Sequence, residues 1–291
     1  MNKKIIAFTA AMSLLPASFS NSASASANYT ISDLRHLRDA LLRASDITAA
    51  DDINGDGIVN VVDLCLLKRA LLTTGEFVEK NYAATEENVK LVGRTMYIND
   101  TTWLVQSGSA VEFTITGKSA AITLAGDSSI NNDENYRSRY AVLVDGEIIA
   151  DDVMSTPEKT LTLFDGETSR TAKIKIIHLS EAMNGAIGVK NISVTSNQPV
   201  PICPEPEKAL SIEFIGDSIT CAYGVEGLSS YESFKTTTEN FMKSYAYLTA
   251  QKLNADYSAV SYSGHGIISG YTSSGEINTD SLIPDCYGLT G

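Results

Sequence analysis

The stretch Ser211-Ile-Glu-Phe-Ile-Gly-Asp-Ser-Ile-Thr220 constrains this chain more than any other. Ile212 to Ile215 read as a short buried strand that stops at Gly216 and presents Asp217 and Ser218 at its end. A reactive side chain at the C-terminal tip of a strand, before a turn into a helix, is where open α/β sheets place their chemistry. Gly216 admits the tight turn. The Ser218 N–H then points out of the turn, toward where an oxyanion would develop. The triplet alone is a weak signal, because Gly126-Asp127-Ser128 repeats it after another apolar run.

The surroundings separate the two triplets. Before Ser218, the stretch Ser196–Lys208 holds Pro199, Pro201, Pro204 and Pro206, four of the seven prolines in the chain. Such a segment is stiff and extended, so residues 198–207 read as a connector and a domain boundary. After Ser218, Thr236–Leu253 places Phe241, Tyr245, Leu248 and Leu253 at helical spacing, which predicts a helix packed on a sheet. Asp256–Ser263 reads as the next strand, ending at Gly264-His265-Gly266. Residues 208–291 are therefore predicted to be α/β.

Residues 86–197 show no helical period. Alternating apolar residues at Val111, Phe113 and Ile115, then at Ile122 and Leu124, predict half-buried strands. Further runs lie at Tyr140–Val144, Ile148–Ala150, Leu161–Phe164, Ile174–Leu179 and Ile187–Val194. Asp145-Gly146 between two of them is a hairpin signal. The spacing predicts an all-β sandwich. Gly126-Asp127-Ser128 falls in a loop of this region with no helix after it and is set aside as a nucleophile. Trp103, the only tryptophan, and His178 are read as core residues, with sugar stacking the lesser reading for Trp103.

Asp52–Asp63 is a twelve-residue acidic loop. Oxygen ligands fall at Asp52, Asn54, Asp56, Asn60 and Asp63, with the Ile58 carbonyl between them and Gly57 at the sharp turn. Ca²⁺ takes six to eight hard oxygens at this spacing. A helix, Val61–Leu72, begins inside the loop. A shift of 30 residues aligns Asp33-Leu34, Leu37, Arg38 and Ala40–Leu42 with Asp63-Leu64, Leu67, Lys68 and Ala70–Leu72. That duplication resembles a dockerin, the EF-hand-like module that binds cohesin domains of a scaffold protein, over residues 28–76. The twin loop departs from the pattern, with Ser22, Ser24 and Ser26 at the ligand positions. One calcium site is expected, not two.

Residues 1–27 read as a signal peptide: Lys3 and Lys4, the apolar run Ile5–Leu15, then small residues to Ala27. Secretion is the expected address. The apolar run is too short to span a bilayer, and the net charge of −13 argues against nucleic acid or an anionic membrane as partner. Cys65, Cys203, Cys221 and Cys286 lack metal-like spacing, and whether any pair bonds stays open. Cys65 is expected to be buried on its helix.

The block Ile212–Thr220 is similar to the Gly-Asp-Ser block of SGNH (GDSL-type) hydrolases, whose fold is a flavodoxin-like three-layer α/β domain. That resemblance implies Ser218 as nucleophile and oxyanion amide, and Gly264 as a second oxyanion amide. The order of sandwich, proline connector and SGNH block resembles carbohydrate esterase family 2 from about Glu86 to Gly291, which implies that the sandwich is a jelly roll. The implied protein is a secreted, cellulosomal esterase that removes acetyl groups from plant polysaccharide, with structural calcium as its only cofactor. The family's Gly-x-Asn-Asp block and late histidine are not found after Gly266, so a C-terminally truncated chain is expected. His265 is a weak substitute for the base, and Asp217 is expected to fix the loop. The alternative is a non-catalytic polysaccharide-binding and docking protein.

Overall fold

The computed structural model describes residues 29, 31–43, 45–72 and 76–289. The signal-peptide reading and the serine-substituted twin loop lie outside these residues. The chain divides into two compact units, the second beginning at Leu72.

The first unit contains helices α1 (Ile31–Arg43) and α2 (Val61–Leu72). Each buries one leucine, Leu37 and Leu67, and these are the positions that the 30-residue shift aligns. Cys65 is exposed, contrary to expectation. It lies two residues before Leu67, so on a 3.6-residue helix it faces away from the buried side.

The second unit opens with a β-sandwich. Its strands are β1 (Val78–Tyr82), β2 (Lys90–Val92), β3 (Thr95–Ile98), β4 (Thr101–Leu104), β5 (Ala110–Gly117) and β6 (Ser119–Gly126). They continue as β7 (Arg139–Val144), β8 (Glu147–Val153), β9 (Glu158–Phe164), β10 (Arg170–His178), β11 (Ile187–Ser196) and β12 (Ile202–Pro204). One six-stranded sheet runs β3-β4-β11-β6-β9, with β1 also on β11; the other runs β12-β5-β10-β7-β8, with β2 also on β5. All pairs are antiparallel. Inward residues of both sheets, among them Phe113, Ile115, Ile122, Leu124, Ile174 and Ile192, form one core. Strand β12 arises within the segment read as a connector. Ile202 is buried and pairs with Ile115, and Pro204 is tolerated because β12 is an edge strand.

The α/β layer follows: β13 (Ser211–Gly216), α3 (Ser218–Cys221), α4 (Tyr245–Lys252), β14 (Asp256–Ser261) and α5 (Ile283–Tyr287). Strands β13 and β14 pair in parallel, with Gly216 opposite Ser261. Strand β13 is not the fully buried strand expected: Ser211, Glu213 and Ile215 are exposed and the residues between them half-buried. The long helix expected over Thr236–Leu253 is also broken into turns at Thr236–Thr238 and Phe241–Lys243 before α4. Asn240 and Ser244 interrupt it by accepting the Met242 and Tyr247 N–H groups, as N-caps do. The packed face also differs. Tyr245, Leu248 and Leu253 are exposed, whereas Ala246 and Ala250 are fully buried. Small residues at i and i+4 let the helix backbone come close to the sheet.

The second sheet of the sandwich is covered on both faces. Its outer residues Val92, Ala110, Ala141, Leu143, Ile177 and Leu179 form a second core with Phe241, Ala246, Ala250, Tyr257 and Ala259. Hence all six residues of β7 are buried and its sequence shows no alternation. Polar ties cross the same seam. Tyr257 Oη donates to Gly108 O (2.9 Å), and Gln106 Nε2 donates to Tyr262 Oη (2.6 Å). Buried Lys90 Nζ donates to Asp256 Oδ1 (2.6 Å) and Pro206 O (3.1 Å). Arg139, on β7, donates to both Asp151 carboxylate oxygens (2.8 Å each) and to Glu226 Oε2 (2.7 Å). It also donates to Thr237 O (2.8 Å) and Glu239 O (3.0 Å).

Replacing Arg139 removes the partner of the Asp151 carboxylate and of two carbonyls, and one of the three partners of Glu226. Arg139→Leu is therefore expected to lower the unfolding free energy by about 3 kcal/mol, read from the urea midpoint of the full chain. An unchanged midpoint would show that the seam does not depend on this side chain.

Candidate active site

The turn after β13 is built by Asp217. Its Oδ1 accepts the Ile219 N–H (3.0 Å) and caps α3, which starts at Ser218. This is the loop-fixing role expected for Asp217. The second triplet uses its aspartate the same way: Asp127 Oδ1 accepts the Ser129 N–H (3.0 Å), and Oδ2 accepts the Ala186 N–H (3.1 Å). The chemistry of the two triplets diverges only in what surrounds them. Gly216 is required sterically, because a Cβ there would lie 2.1 Å from Thr220 Oγ1.

The turn after β14 lies beside it. Tyr262 N–H donates to Gly216 O (3.3 Å), joining the two strand ends. Gly264 has φ +77°, a left-handed conformation that glycine adopts without strain. Its carbonyl accepts the Tyr271 N–H (2.7 Å), which folds the segment after it back over the turn. Ser218 and Gly264 thereby line one open cavity of about 700 Å³, together with Asp217, Tyr223, His265 and Tyr271. The two residues that the sequence nominated are brought together.

His265 lines this cavity, but its Nδ1 is 3.2 Å from Ser263 O. Among the described residues no histidine hydrogen-bonds Ser218. His178 lies in the sandwich, fully buried, with Nδ1 against Val105 O (3.1 Å) and Nε2 against Ser180 Oγ (3.0 Å). Burial pulls its pKa down to about 4 against the hydrogen bond to Val105, so it is a neutral core residue. Trp103 is half-buried on the outer side of its sheet, over Gly188.

Three titratable residues behind the cavity have no signal in the sequence. Glu181, Cys221 and Glu239 are all buried, and their ligand atoms lie within 4.8 Å of one another. They come from three separate segments, so only the fold assembles them.

In the first unit, Asp52 Oδ1 accepts the Gly55 (2.8 Å) and Asp56 (3.2 Å) N–H groups, and its Oδ2 accepts that of Gly57 (2.8 Å). Asp63 is fully buried; its carboxylate accepts the N–H groups of Ile53 (2.9 Å), Asn54 (3.3 Å) and Asn60 (2.8 Å). Backbone donors thus orient the first and last carboxylates of the loop. Asn60 Oδ1 accepts the Val62 N–H (2.7 Å), and its Nδ2 donates to Ile58 O (3.1 Å). The donor set, all oxygen, fits calcium.

Residues 91–204 match the family model described as Carbohydrate esterase 2 N-terminal. The chain is 33% identical over 165 residues to the cellulase/esterase CelE of Acetivibrio thermocellus, covering 57% of this chain and 19% of that protein. It is 28% identical over 212 residues to the acetylxylan esterase / glucomannan deacetylase of Cellvibrio japonicus, covering 72% of this chain and 55% of that protein. A family two carbohydrate esterase from Clostridium thermocellum, solved in complex with cellohexaose, superposes with a TM-score of 0.58 at 28% identity, covering 69% of this chain and 58% of that one. In fold the chain resembles these family 2 carbohydrate esterases, and it spans less than two thirds of the length of each relative.

Gly216→Ala is expected to cost about 1–3 kcal/mol through the clash with Thr220. The Gly216→Ala/Thr220→Ala double variant should recover part of that loss, because the next atom, Thr220 Cβ, stands 3.1 Å away. Thermal melts of the wild type and both variants read this; a double variant no more stable than the single one contradicts the steric account.

Proposed function

We propose that the chain is a carbohydrate esterase that removes O-acetyl groups from plant cell-wall polysaccharide of the xylan or mannan type. The observation that carries this reading is the placement of Ser218 and Gly264 at adjacent parallel strand ends, facing one cavity, on a fold of this kind. Ser218 Oγ attacks the acetyl carbonyl, and the sugar hydroxyl leaves with the proton. The N–H groups of Ser218 and Gly264 stabilise the oxyanion. Water then attacks the acetyl-enzyme and releases acetate. Ser218→Ala is expected to lower acetate release from acetylated xylan and glucomannan by at least about a thousandfold. Equal release by the variant would overturn the assignment.

A second reading rests on Ser218 having no histidine partner among the described residues. A nucleophilic serine needs a base. Without one the chain would bind polysaccharide and not cleave it. Retention on insoluble polysaccharide with no Ser218-dependent acetate release would favour this reading.

We infer further that residues 28–76 are a calcium-stapled dockerin that binds a cohesin, and that the protein is secreted. Asp52, Asn54, Asp56, Ile58 O, Asn60 and Asp63 would hold the ion. Millimolar Ca²⁺ is expected to raise the unfolding temperature of this unit and Asp52→Ala to abolish the rise, since a ligand that binds only the folded state stabilises it. A calorimetric trace insensitive to Ca²⁺ would remove the metal from the account.

A further inference from the structure

We propose that Glu181, a residue of the β-sandwich, is a positioning residue for the ester-cleaving site. Its buried carboxylate ties the loop that carries Gly264 to the helix that begins at Ser218. This deepens the esterase reading and rests on it.

The geometry is specific. Glu181 Oε2 accepts the N–H of Ser263 at 2.8 Å, one residue before Gly264. The same oxygen stands 3.8 Å from Cys221 Sγ, three residues past Ser218 on α3. Cys221 Sγ in turn lies 3.7 Å from Ser263 Oγ. One carboxylate therefore spans the two turns whose N–H groups would bind an oxyanion. An oxyanion hole works only if its donors are already in place, and a carboxylate that accepts a buried N–H is a strong way to hold one.

Glu239 holds the clamp from behind. Its Oε2 accepts the Glu181 N–H (3.2 Å), while its Oε1 is buried with no partner among the described residues. Two carboxyl groups this close and this buried cannot both be ionised cheaply. Burial first, and the Glu181 carboxylate second, push Glu239 up to about 8, against the hydrogen bonds from Glu181 N–H and Cys221 and the charge of Arg139. The other groups facing the pair are Cys221, whose thiol burial and both glutamates push up, and Tyr223, raised by burial and then by the same charges. The ordinary value for Glu239 is 4.5. Its raised folded value means that stability is full below about 4.5, falls as pH rises, and is lost through about 8. Above that, a second charge enters the clamp.

The test uses the full chain, three variants of Glu181, and the single variants Glu239→Gln and Cys221→Ser. Glu181→Ala removes the acceptor. Glu181→Asp, one methylene shorter, keeps the charge but withdraws the oxygen from Ser263, and it is the milder change. Glu181→Gln keeps an oxygen in place. Hydrogen exchange of the 261–266 peptide should speed up at least about tenfold in the Ala and Asp variants and stay near wild type in Gln, with the 110–117 peptide unchanged. Hydrolysis of an activated acetate ester should show kcat reduced about tenfold or more in the Ala and Asp variants, with KM within about twofold and recovery in Gln. Wild-type kcat is expected to fall between about pH 7 and pH 9 as Glu239 ionises, and Glu239→Gln is expected to lack that fall.

Wild-type exchange at 261–266 in both the Ala and Asp variants would overturn the proposal. So would one tightly held zinc ion per chain that is lost in Cys221→Ser, since a metal and not the clamp would then organise the cluster. Faster exchange as expected, in a wild type with no Ser218-dependent turnover, would uphold the tie and overturn the esterase reading alone.

Discussion

Arg139 is the interaction on which the rest of the second unit depends. A guanidinium this buried is tolerated only when its donors are used and its charge is opposed. Here the opposing charges come from opposite sides of a seam: Asp151 from the sandwich and Glu226 from the α/β layer. Glu226 also takes Lys243 and Asn240, and these hydrogen bonds with that of Arg139 overcome the cost of burial, holding its carboxyl down at about 2. The guanidinium reaches the Glu239 carbonyl as well. The charged seam and the carboxyl clamp behind the cavity are therefore one connected polar system.

That system sits beside an apolar one. Phe241, Ala246, Ala250, Tyr257 and Ala259 cover the outer face of the second sheet. The hydrophobic contacts supply the non-directional attraction. Arg139, Lys90 and the Tyr257 and Tyr262 hydroxyls supply the register. The turn at Ser218 and the turn at Gly264 are thus placed by strands β13 and β14, and the strands in turn by a sandwich that carries no candidate nucleophile.

Much of this was legible in the sequence. Alternation at Val111, Phe113 and Ile115 marked β5, and the Gly-Asp-Ser turn marked Ser218. The 30-residue shift aligns Leu37 with Leu67, and both are buried. Other features were hidden for physical reasons. The break in the helix before α4 comes from side-chain caps at Asn240 and Ser244, which compete with helical hydrogen bonds only in the folded geometry. The burial of Ala246 and Ala250 in place of Tyr245 and Leu248 reflects close approach to a sheet, and hydropathy favours the larger residues. Strand β12 formed inside a proline-rich segment because an edge position needs no N–H from Pro204. Glu181, Cys221 and Glu239 lie too far apart in the chain for any spacing rule to join them.

The two-sided burial of β7 bears on how such a chain can be cut and recombined. A sheet covered on one face by its partner sheet and on the other by α4 and β14 has no solvent-adapted surface at the seam. Removing the α/β layer would bare Ala141, Leu143, Ile177 and Leu179 to water, and removing the sandwich would bare Phe241 and Tyr257. The boundary at the prolines is therefore one of topology alone: a cut there divides an interior that both layers share.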